Sequence, residues 1–132
     1  MSDRIGTAPT LGDIERLARA GLAALPPQFR ALVADVVLRV DEFPGDDVCE
    51  DLGLESPFDL LGLYQGVSLD QKSVLGTPQG PDMIFLYRRS LLDQWCETNE
   101  ALDHLVRHVL IHEIGHHFGF SDADMEALES AL

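Results

Sequence analysis

Apolar residues return every three or four positions near the start of the chain, at Leu11, Ile14, Leu17, Ala18, Gly21, Leu22 and Leu25. That spacing lines one face of a helix and predicts one over residues 10–24. Thr10 is placed to cap it, with Asp13 reaching back to the cap. Pro26 and Pro27 end it, and a second short helix runs from Phe29 to Val33, so residues 1–34 form an N-terminal helical segment. The pattern then changes period. "DVVLRVDEF" at 35–43 is β-branched and partly alternating, which predicts a strand. "LLGLYQGVSL" at 60–69 reads as a turn and a strand bent at its glycines, and "TPQGP" at 77–81 as a turn. "DMIFLYR" at 82–88 is a short apolar run suited to a buried strand.

Helical spacing resumes after that strand. "RSLLDQWC" starts a helix capped near Ser90, and residues 98–119 form a long one. Asn99 suits its N-cap, while Glu100 and Asp103 complement the positive end of its dipole. Gly119 suits the left-handed position that closes it. "DADMEALES" predicts a last short helix. Helices at both ends around a few strands give a small α+β fold, a single domain over residues 1–132.

Composition narrows the partners. The net charge is −14, which disfavours nucleic acid and anionic lipid surfaces. Eight of the acids, and no base, fall between Asp41 and Asp59, where Pro44, Gly45, Gly53 and Pro57 punctuate the chain. The segment 41–59 reads as an acidic loop, either simply solvated or a flap beside a site that welcomes cationic groups. Two distant cysteines, Cys49 and Cys96, make neither a disulfide framework nor a thiolate zinc site and are expected to be buried thiols. The N-terminal residues lack an apolar run of signal-peptide length, and no stretch approaches the ~20 apolar residues of a membrane span. The expected location is the cytoplasm.

The chemistry is concentrated in "HEIGHHFGFSD", residues 112–122. Each helical residue turns the chain by ~100°, so His116 lies ~40° from His112, one turn along on the same face. Two imidazoles so placed converge on one ion, and Glu113 flanks it without binding. This is the H-E-x-x-H arrangement, with two zinc ligands and a general base. A helix continued past His116 would carry Asp122 to the wrong side. Gly119 permits a break, after which Asp122 can return as a third ligand. Gly115, costly by roughly 1 kcal/mol within a helix, implies close approach of another backbone. Leu110, Ile111, Ile114 and Phe118 lie away from the histidines and are expected in the core.

Neighbouring residues carry less. His108, one turn before His112, is expected at the edge of the site rather than as a ligand, with His104 a turn further back. His117 points away and reads as a hydrogen-bonded core or rim histidine in preference to an oxyanion donor. Tyr64 and Tyr87 read as half-buried strand tyrosines in preference to donors towards a tetrahedral intermediate. Asp124 and Glu126 read as the first acids of the last helix in preference to partners of a ligand imidazole.

These residues resemble a known group. "HEIGHHFG" followed by Asp122 is similar to the zincins, and the glycine and the later acid resemble the metzincin variant with Asp as third ligand. The closer resemblance is to small bacterial proteins known as minimal, metzincin-like zinc proteases. They share a central "LLGLY-G", an "IFLYR" strand and a terminal "HE--HHFG" helix, here Leu60–Gly66, Ile84–Arg88 and His112–Gly119. The resemblance spans residues 35 to 130 or so. It implies a zincin-like fold, with a short mixed sheet packed against helices that include the active-site helix. It also implies His112, His116 and Asp122 as ligands of one zinc ion and Glu113 as base. Met125 stands too close to Asp122 to take the part of the Met-containing turn that true metzincins place under the metal.

The expected function is therefore zinc-dependent hydrolysis by a metallopeptidase. Its substrate is a peptide or protein, drawn towards basic sequences by the acidic segment and pairing as an added strand with residues 82–88. The alternative is a non-enzymatic zinc-binding interaction module, and after it a structural domain with a vestigial site. A closed structural site requires a fourth protein ligand, and the sequence offers no clear one.

Overall fold

Thr10 stands in extended conformation at the head of α1 (Leu11–Ala23), in a computed structural model that describes residues 6–66 and 82–130. Its hydroxyl accepts from the N–H of Asp13 at 3.1 Å, and the Asp13 carboxylate accepts from the N–H of Thr10 at 2.8 Å. Two N–H groups that the first turn leaves without helical partners are thereby satisfied. Ile14, Ala18 and Gly21 turn inwards. The double proline ends the helix and opens α2 (Pro27–Leu32).

Three short strands follow: β1 (Val37–Asp41), β2 (Gly62–Gln65) and β3 (Met83–Tyr87). Their order is β1-β3-β2. β1 runs parallel to β3, with Val37 opposite Met83 and Asp41 opposite Tyr87. β2 runs antiparallel, with Gly62 opposite Leu86 and Gln65 opposite Met83. The continuous apolar run of β3 suits a central strand covered on its faces, and Ile84 and Leu86 are fully buried. This corrects one expectation. Both edges of β3 are taken, so an extended substrate cannot add to residues 82–88; β1 and β2 are the edge strands among the described residues. The turn expected at 77–81 and the end of the stretch at 60–69 lie outside the described residues.

The acidic segment is also corrected. It holds a helix, α3 (Asp46–Leu52), and a 3₁₀ turn at Pro57–Asp59. Gly45 leads into α3, Asp46 and Asp47 meet the positive end of its dipole, and Gly53 closes it in the left-handed region at φ 65°. No residue of α3 is buried, so charge and capping carry it. The 3₁₀ turn has its own capping box, with the Ser56 hydroxyl accepting from Phe58 and the Asp59 carboxylate from Ser56. Phe58 meets Phe43 edge to face at 4.9 Å.

α4 (Arg88–Glu97) begins directly after β3. Ser90 is not its cap; it is buried, and its hydroxyl donates to the carbonyl of Pro57 at 3.0 Å. α5 (Leu102–Phe118) starts after Ala101, with no side-chain cap, so Asn99 does not cap it either. α6 (Asp122–Ser130) follows the break at Gly119. The core lies between the sheet and helices α1 and α5, with α6 packed on α5, around Ile14, Ile84, Leu86, Leu110, Ile114 and Met125. Leu110 and Ile111 are buried, as their side of the helix predicts, and Phe118 is packed at the margin. Cys49 is half-buried and Cys96 exposed, so neither is the fully buried thiol expected; Cys96 sits in the last turn of α4, a helix whose buried residues are Ser90 and Leu91. The result is an α+β domain with six helices and a three-stranded mixed sheet among the described residues. No described helix is long and apolar enough to cross a membrane.

Candidate active site

Helix α5 carries a histidine at every fourth position, His104, His108, His112 and His116, along the side opposite its apolar one. His112 is half-buried and His116 exposed. Their rings stand 6.0 Å apart with planes at 86°. Burial pushes the His112 pKa below its ordinary value; His108 and His116 add to this, while the carboxylates of Glu129 and Asp122 oppose it. Its neutral form, the one that binds metal, is therefore favoured.

The break after the helix is made by Gly119, at φ 74°. The N–H of Phe120 donates to the carbonyl of Gly115 at 2.8 Å, closing the last turn. Ser121 and Asp124 then cap α6 reciprocally, at 3.0 and 3.2 Å. Asp124 thus takes the capping part rather than orienting an imidazole. Asp122 is the first residue of α6 and is exposed. Gly115 admits Met125: a Cβ there would collide with the Met125 sulfur and lie 2.7 Å from its Cγ. A side chain, not the expected backbone, is what approaches. Met125, fully buried, packs against α5 at Gly115.

Glu113 turns towards the sheet. Its Oε1 accepts from the backbone N–H of Tyr64, on edge strand β2, at 3.1 Å. β2 comes this close because residue 62 is glycine; a Cβ there would lie 2.7 Å from Val109 Cγ1. Burial raises the Glu113 pKa above its ordinary value, and the Tyr64 N–H and His116 partly offset the rise. Tyr64 is itself held. Its hydroxyl donates to Asp82 at 3.0 Å and its ring stacks on His117 at 4.0 Å. His117 Nε2 lies 3.5 Å from the same Asp82 carboxylate. Burial and Asp82 push the Tyr64 pKa well up, so the phenol stays protonated. His117 is thus a packed rim residue, as expected, and Tyr64 a half-buried strand tyrosine. Tyr87 is more deeply buried, with its pKa pushed up to about 12, first by that burial.

The family model for zincin-like metallopeptidases matches residues 33–132. The chain belongs to this family. No curated protein matches the sequence. Membership bears out the zincin resemblance and the α+β fold, and points to a zinc-dependent peptidase acting on a peptide or protein. The chemistry of the imidazole donors fits zinc: two histidines one turn apart on a zincin helix.

The structure also brings forward residues that sequence reasoning set aside or missed. Among the described residues, one group of three places its ligand atoms within 4.8 Å of one another: His108, His112 and Glu129. His116 and Asp122 lie outside that group. Glu129 gives no signal in a linear pattern, but α6 folds back along α5 about Gly119. Residues at equal distances from the turn then face each other, and His108 stands eleven before Gly119 and Glu129 ten after it. Asp82 was likewise unmarked in the sequence; β3 carries its neighbour opposite Gln65 of β2 and so sets it beside Tyr64.

Proposed function

We propose that this zincin is a zinc-dependent peptidase in which His112, His116 and Asp122 hold the ion and Glu113 is the general base. When bound, zinc supplies Lewis acidity towards a peptide carbonyl and lowers the pKa of its water to about 7. The observation that carries the reading is the position of Glu113. It follows His112 on the helix and accepts from the backbone N–H of Tyr64 on edge strand β2, and burial moves its pKa upwards, in the direction a base working near neutrality needs. Glu113 takes the proton of the attacking water and passes it to the leaving amine. His117 and Asp82 hold Tyr64, and with it the backbone N–H that positions Glu113. An extended peptide is best placed along β2 rather than β3, and the acids of α3 and its flanks favour basic sequences.

A non-enzymatic zinc module is the second reading. Glu129 favours it, because a carboxylate beside His112 is the kind of donor that closes an open position. Metal content and hydroxamate binding separate the two. At nanomolar free zinc, His112→Ala and His116→Ala leave the chain without stoichiometric metal, and Asp122→Ala leaves it partly loaded. The peptidase binds a peptide hydroxamate through zinc, and a closed module does not. Unchanged zinc content in all three variants contradicts the ligand assignment.

A further inference from the structure

The histidine row on α5 does not stop at the family motif. His108 precedes His112 by the same four residues that separate His112 from His116, and their ring centroids are only 4.1 Å apart. Opposite them, α6 delivers Glu129, whose Oε1 stands 2.6 Å from His108 Nδ1. That oxygen is shut off from solvent yet has no hydrogen bond of acceptable geometry. An ordinary His–Glu ion pair would satisfy the oxygen with an in-line N–H. Here two imidazoles and a dehydrated carboxylate oxygen converge without one, which is the pattern of lone pairs directed at a common cation.

We propose that His108, His112 and Glu129 form a second divalent-metal position, one helical turn from the HExxH position and alternative to it. The donor set, two nitrogens and one oxygen, suits zinc, cobalt or nickel over magnesium or calcium. Bonds of about 2.0–2.2 Å place tetrahedral donors about 3.4 Å apart. Small rotamer changes reach that spacing, because His108 is exposed and Glu129 partly so. A cleft of about 250 Å³, lined by Glu100, His104, Arg107, His108 and Glu129, opens the position to solvent. A neutral imidazole gives one lone pair, so His112 serves one ion at a time and the two positions compete for it. Binding at the second position does not depend on the peptidase reading; only the competition does.

The test titrates zinc, and cobalt as a visible-absorbing probe, into the metal-stripped full chain. In His116→Ala/Asp122→Ala, where His112 alone remains of the HExxH set, about one ion per chain still binds at micromolar concentration. Adding Glu129→Gln or His108→Ala weakens that binding by at least about tenfold, as loss of a ligand should. Absence of binding in the double variant, or binding indifferent to both added changes, overturns the proposal. Circular dichroism checks folding. Should the double variant not fold, His116→Ala alone carries the same comparison, since His116 is exposed. Wild-type affinity in the double variant would remove His116 and Asp122 from the first position, and the Glu129→Gln arm would still decide the second.

Discussion

The two sides of α5 obey different rules. One carries Leu105, Val106, Leu110 and Ile114, all nearly or fully buried, and holds the domain together. The other carries four histidines at a spacing that packing does not require, and Glu113, which burial drives towards its neutral form. The first side is optimised for stability and the second gives some of it up. A helix that served only the core would show no such penalty, so the difference between the sides marks where chemistry has been placed.

The largest effect that sharpens this contrast lies on the core side. Ile114→Ala removes a fully enclosed side chain beside Leu110 and should cost about 2–5 kcal/mol in denaturant unfolding. Next is Gly115→Ala. The substitution gains roughly 1 kcal/mol of helix propensity, but the new methyl meets Met125. Overpacking costs about 1–3 kcal/mol, so net destabilisation is expected. Met125→Ala alone costs about 2–5 kcal/mol, and the Gly115→Ala/Met125→Ala loss should be smaller than the sum of the two single losses. Strictly additive losses would show that α6 is not pinned there.

Glu113→Gln should act in the opposite direction. A carboxyl whose folded pKa is raised favours folding at pH below its unfolded value of 4.5, and that contribution is lost as pH rises through the folded pKa. At neutral pH the ionised wild-type residue is therefore a liability. The metal-free variant should melt higher than metal-free wild type near pH 7, and the advantage should fade below about 4.5. An advantage that persists unchanged into acid would point to packing rather than charge.

The smallest effect concerns His112. Its folded pKa is lowered, so its contribution is present above 6.5 and is lost as pH falls through the folded value. In chelator, melting should decline gently from about pH 7 to 5. With zinc the decline should be steeper, because the ligand imidazoles must be neutral and zinc stabilises the folded state it binds. Superimposable curves with zinc and with chelator would mean that no ion is bound on this face.

What the sequence revealed follows from the range of the forces involved. α1 was legible to within a residue or two because its cap, stripe and proline stop are all local. The HExxH spacing was legible for the same reason, since four residues of helix fix the geometry. The start of α5 was misplaced because Ala101 carries no capping side chain and the helix begins where packing begins. The sequence of α3 reads as loop because no residue in it is buried and no apolar stripe announces it. The edge strand was misassigned because strand order depends on partners far along the chain. Glu129 needed the fold, although the glycine break at 119 already fixed which residues of the last helix return beside His108.

The most direct test is a metal analysis paired with a peptide-library cleavage assay, on wild type and Glu113→Ala purified side by side. If Glu113 is the base and not a ligand, both proteins carry about one zinc per chain and only the wild type cleaves. Loss of zinc in the variant, or equal cleavage by both, would contradict that assignment.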